Sequence, residues 1–111
     1  MMKILIVDDE ATLRVALAGL FQLDGYTVVV CGSGKEALSK WTDDITHVVS
    51  DVQMPGISGV ELAQSLLEKK PELKLVLYTG NKYIFKTLPK NICGLQKPVA
   101  FQEIKDALDL K

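Results

Sequence analysis

Val48-Val49-Ser50-Asp51-Val52-Gln53-Met54-Pro55-Gly56 is a short apolar run that ends in a carboxylate and turns at once on Pro-Gly. A parallel strand buried on both faces reads this way, and it delivers one acidic side chain to the edge of a sheet. Two other apolar runs end in polar groups. Ile4-Leu5-Ile6-Val7 leads into Asp8-Asp9, and Leu75-Val76-Leu77-Tyr78 leads into Thr79-Gly80. A fourth run ends near Lys97-Pro98. As parallel neighbours, these strands would bring three carboxylates, a hydroxyl and an ammonium to one pocket.

Outward from these runs, apolar stretches alternate with amphipathic ones along the whole chain. Strands are predicted over 3–7, 26–31, 46–51, 73–78 and 92–96. Between them, 10–23 places Leu13, Ala16, Leu17, Leu20 and Phe21 inward at helical spacing. Ser33 caps a helix over 34–41, with Ala37, Leu38 and Trp41 inward. Ser58 and Glu61 form a capping box for a third helix, with Val60, Leu62, Ala63, Leu66 and Leu67 inward, which stops at Pro71. The segment 81–90 has weak helical spacing and contains Pro89, so a fourth helix there is short or irregular. A last helix spans 99–110, with Phe101, Ile104, Ala107 and Leu108 inward. This alternation implies a doubly wound α/β fold, a five-stranded parallel sheet with helices on both faces. The flavodoxin-like strand order 2-1-3-4-5 sets strands 1 and 3 side by side at the switch point, where ligands usually sit. Asp8, Asp9 and Asp51 then converge.

The chain has 111 residues, 48% of them hydrophobic, and a net charge of -1. It reads as one domain over 1–111 with a core that needs no disulfide or metal staple. The last predicted helix runs to the end of the sequence, which fits a whole protein and a domain cut from a longer one alike. The near-neutral charge gives no nucleic-acid footprint. Cys31 and Cys93 both lie in apolar runs and read as reduced core residues, which fits a cytoplasmic location. The N-terminal MMKILIVDDE turns acidic too soon for a secretory signal. No run approaches the ~20 apolar residues of a membrane span.

Three carboxylates within a few ångströms repel by several kcal/mol in a partly desolvated site, as an order of magnitude. A cation relieves this, and Mg²⁺ suits hard oxygen ligands while keeping several waters. Asp51 is the candidate nucleophile, because a carboxylate can accept a phosphoryl group as an acyl phosphate. That chemistry needs charge neutralisation on the phosphoryl oxygens more than a base. Mg²⁺ and Lys97 would supply it, and the Thr79 hydroxyl would add a hydrogen bond. His47, at the start of its strand, reads as structural.

Val7-Asp8-Asp9-Glu10, the element Ser50 to Gly59 with its D-x-x-M-P-x-x-x-G pattern, Tyr78-Thr79-Gly80 and Gln96-Lys97-Pro98 together resemble the receiver domain of bacterial two-component response regulators. The resemblance spans the chain. It implies Asp51 as phosphoacceptor. It also implies direct Mg²⁺ ligation by Asp9, Asp51 and the Gln53 backbone carbonyl, with Asp8 acting mostly through water. Thr79 and Lys97 would contact the phosphoryl group. The donor would be a phosphohistidine on a sensor histidine kinase or a histidine phosphotransfer protein, and the output partner or effector domain is unspecified. Such a protein catalyses its own phosphoryl transfer and is otherwise not an enzyme.

Two departures stand out. Receivers usually carry Tyr or Phe three residues before the lysine, where this chain has Gly94, so no side chain there can report the switch. The Thr79-to-Lys97 separation is also shorter than the family norm. These departures make the loop at 81–88, with exposed Tyr83, Ile84 and Phe85, the expected exit for the signal. They also raise an alternative, a pseudo-receiver that binds partners without switching. Gln53 and Asn81 flank the expected phosphate position. A haloacid-dehalogenase-type hydrolase expects D-x-D after the first strand, and Asp8-Asp9 does not match it.

Overall fold

A computed structural model describes residues 2–89 and 92–110. Along the chain run β1 (Lys3–Val7), α1 (Ala11–Leu23), β2 (Thr27–Cys31), α2 (Gly34–Lys40), β3 (His47–Asp51), α3 (Gly59–Lys69) and β4 (Lys74–Thr79). A 3-10 helix (Lys82–Thr87), β5 (Cys93–Gln96) and α4 (Phe101–Ala107) complete it. The strands form one parallel sheet in the order β2-β1-β3-β4-β5. The fold is therefore the doubly wound, flavodoxin-like one that the alternating pattern implied.

The continuous apolar runs follow from burial on both faces. Leu5, Val7, Val48, Leu75 and Leu77 face a core layer with Ala37, Ile45, Leu62, Ala63 and Leu66. Their neighbours Ile4, Ile6, Val49, Val76 and Tyr78 face the other layer, with Leu17, Phe21, Ile104 and Leu108. Fully burying one such aliphatic side chain stabilises the fold by about 1.5–3 kcal/mol.

Both expected caps are present. Ser33 accepts the Glu36 N–H at 3.1 Å, and Ser58 and Glu61 close a reciprocal box at the start of α3. α1 has no side-chain cap at Glu10. Its inward stripe is narrower than predicted. Leu17 and Phe21 are buried and Leu13 packs against the same layer, but Ala16 and Leu20 point outward. They sit about 100° round the helix from Leu17 and Phe21. Cys31 is buried, but Cys93 is exposed. The reason is position: β5 pairs only with β4, so it is an edge strand. The last helix stops at Ala107, where Asp109 turns the chain with φ 59°.

The irregular fourth segment is a 3-10 helix, capped by the Asn81 side chain, which accepts the Tyr83 N–H at 3.1 Å. Lys90, where the predicted segment ends, lies outside the described residues. Tyr83 is exposed, whereas Ile84 and Phe85 are half-buried. Ile84 packs on the core. Gly94 leaves no void: a Cβ there would lie 2.8 Å from the Phe85 ring and 2.6 Å from Leu88 Cδ1. Gly94 itself carries no side chain, and Phe85 of the neighbouring element lies where one would go.

Candidate functional site

Register places the acids. Val7 pairs with Ser50, and Asp51 pairs with Tyr78, so Asp8, one residue past Val7, lies level with Asp51 and Tyr78. Residues at one level of a parallel sheet share a face. Asp8, Asp9 and Asp51 each bring a carboxylate oxygen to a cluster whose atoms all lie within 4.8 Å of one another. Asp8 and Asp51 are buried, and Asp9 is exposed.

The polypeptide wraps each buried acid. Asp51 Oδ1 accepts the Gln53 N–H at 3.0 Å, and Oδ2 accepts from Lys97 Nζ at 2.9 Å. Asp8 Oδ1 accepts the Glu10 N–H at 2.8 Å, and its Oδ2 accepts from the Tyr78 hydroxyl. Burial alone would pull the Lys97 ammonium down. The hydrogen bond and charge of Asp51 outweigh it and hold Lys97 above the ordinary lysine range. Thr79 is buried, and its Oγ1 accepts the Asn81 N–H at 3.1 Å and approaches Gln53 Oε1 at 3.5 Å. The Lys97 N–H is tied to the Thr79 carbonyl at 2.8 Å, and the Lys97–Pro98 peptide bond is cis.

The pattern after Asp51 has a steric reason. Gly56 turns the chain with φ 79°. A Cβ at Gly59 would lie 2.2 Å from the Asp51 carbonyl oxygen, so only glycine lets α3 start against the Asp51 backbone. Met54 and Ile57 then pack into the core.

Thus Asp8, Asp9, Asp51, Thr79 and Lys97 meet at the C-terminal ends of the strands, with Gln53 beside them. Three carboxylates face one ammonium there, a hard-oxygen excess of negative charge that fits a small divalent cation such as Mg²⁺. His47 sits at the other end of β3 and does not join them; its Nδ1 lies 2.7 Å from Thr46 Oγ1. Two contributors escaped the sequence reading. Arg14 donates to the Asp8 carbonyl at 2.6 Å, and Tyr78 donates to the Asp8 side chain. For Tyr78 a signal existed: a phenol within a strand buried on both faces must find a polar partner.

Sheet order, buried acid pair and facing lysine define a doubly wound domain with a cation-suited acidic pocket at its switch point. The chain belongs to the response regulator receiver domain family, whose model matches residues 4–109. It is 33% identical over 105 residues to the C4-dicarboxylate transport transcriptional regulatory protein DctD of Rhizobium meliloti, covering 94% of this chain and 20% of that protein. It is 32% identical over 110 residues to nodulation protein W of Bradyrhizobium diazoefficiens, covering 95% of this chain and 48% of that one. Among solved structures it resembles the response regulator TrrA of Thermotoga maritima in complex with Mg²⁺ and BeF, with a TM-score of 0.86 and 33% identity over 98% of this chain and 97% of that one. The chain spans between a fifth and a half of the length of these two curated relatives. Among the described residues, no helix is long and apolar enough to cross a membrane.

Proposed function

We propose that residues 1–111 form one cytoplasmic receiver domain that takes a phosphoryl group onto Asp51 with Mg²⁺. The donor is a phosphohistidine of a sensor histidine kinase or of a histidine phosphotransfer protein. One observation carries this: the carboxylate oxygens of Asp8, Asp9 and Asp51 lie within 4.8 Å of one another, and Lys97 Nζ is 2.9 Å from Asp51. Asp9, Asp51 and the Gln53 carbonyl would hold Mg²⁺, with Asp8 acting through water. Held by these residues, Mg²⁺ would supply charge neutralisation for the phosphoryl oxygens.

An Asp51 oxygen attacks phosphorus, and the bond from phosphorus to the donor imidazole nitrogen breaks. The electron pair stays on that nitrogen, and an acyl phosphate forms on Asp51. Lys97 exchanges its carboxylate partner for a phosphoryl oxygen. Thr79 donates its hydroxyl to another, which changes its link to the Asn81 N–H. Because Asn81 also caps the 3-10 helix, the change reaches the surface at Tyr83, where an output partner or effector segment would read it.

The test is mass spectrometry after treatment with acetyl phosphate and Mg²⁺. The native chain gains one phosphoryl group; Asp51→Asn and chelator-treated protein gain none. Labelling of Asp51→Asn to the native extent would overturn the proposal. Gly94 favours a second reading, a pseudo-receiver that binds without switching. Amide NMR shifts over 79–88 on adding beryllofluoride and Mg²⁺ support switching, and unchanged spectra support the pseudo-receiver.

A further inference from the structure

Tyr78 touches both charged sides of the pocket. It is 2% exposed and neighbours Asp51 in the sheet. Its hydroxyl reaches past Asp51 to donate to Asp8 Oδ2, while Lys97 Nζ stands over its ring, 5.0 Å from the centroid. Asp8 is 0% exposed, and its other oxygen is held by the Glu10 N–H. Both oxygens of the innermost acid are thus occupied by the protein itself. An ionised carboxylate only accepts, so the phenol is the donor in this bond.

We propose that Tyr78 is a positioning residue that restrains cation capture: its hydroxyl occupies an Asp8 oxygen that a divalent ion and its waters would otherwise use. This rests on the Mg²⁺ reading of the pocket given above. A phenylalanine would keep the ring under Lys97 and the packing of the strand, but would leave that oxygen without a donor. A buried carboxylate oxygen lacking a partner is costly, and a hydrated cation is then the available compensation. The native phenol therefore holds the acidic pocket together at the expense of ion affinity.

The test is calorimetric titration of the full chain and of Tyr78→Phe with MgCl₂ at matched ionic strength. The variant should bind roughly tenfold more tightly, the order expected for one hydrogen bond to an ionised group. Its thermal midpoint should fall without Mg²⁺ and rise further than the native one when Mg²⁺ is added. A purely structural tyrosine would lower stability equally with and without the ion and leave the affinity unchanged. Equal or weaker Mg²⁺ binding by the variant overturns the role of Tyr78 alone. No Mg²⁺ binding by the native chain overturns the reading beneath it as well. Should Tyr78→Phe fail to fold, the variant Tyr26→Phe/Tyr83→Phe leaves Tyr78 the sole tyrosine. Its near-ultraviolet tyrosine band should shift and saturate as Mg²⁺ is added, and an unmoved band overturns the proposal.

Discussion

Single residues behave according to where their polar atoms end. His47 is buried at the far end of β3. Burial first, then the charges of Lys74 and Lys70, hold its imidazole below the ordinary value of 6.5. The unfolded chain therefore takes up this proton at higher pH than the folded one, and unfolding is favoured as pH falls below about 6.5. Thermal unfolding followed from about pH 7.5 to 5 should lose part of this slope in His47→Gln; an unchanged slope removes His47 as its source. At this scale the acids were legible, since Asp8, Asp9 and Asp51 each follow an apolar run. The Tyr78 bond to Asp8 was not, because it crosses the sheet between residues distant in sequence. Lys105 was missed for the same reason. It is largely buried on α4 and reaches Asp24, on the connection after α1, at 2.6 Å.

The 3-10 helix is where local pattern and packing part company. Weak spacing and Pro89 correctly marked the segment as irregular, but composition did not reveal that Phe85 would lie against Gly94. Glycine at 94 and phenylalanine at 85 are two halves of one packing solution. Gly94→Tyr should drive Phe85 and Leu88 outward and cost about 1–3 kcal/mol, as overpacking does. Urea unfolding reads the loss, and hydrogen exchange should quicken over 82–88. Adding Phe85→Ala should recover part of that loss, because the two sites share one space. Additive losses would show that they do not.

Across the molecule, the fold was readable because burial on both faces makes central strands continuous in apolar character, and because crossover rules leave few strand orders. Face assignments were weaker at the margins, as the outward Leu20 and the exposed Cys93 on the edge strand show. The acidic excess is a property of the whole assembly, since β1 and β3 supply it jointly. Without Mg²⁺, Asp9→Asn should raise stability by about 0.5–1 kcal/mol, a few degrees in midpoint for a domain of this size. With Mg²⁺ the native chain should gain more than the variant. Scanning calorimetry with EDTA and with Mg²⁺ checks both, and a destabilised variant in EDTA would refute the repulsion. The common level shared by Asp8, Asp51 and Tyr78 also restricts how this chain can change length. Inserting or deleting one residue inside β1, β3 or β4 would turn its terminal group to the opposite side of the sheet. Indels are therefore best accommodated in the exposed parts of the connections at the opposite rim, such as 42–44 and 71–72, where growth leaves the rows in step.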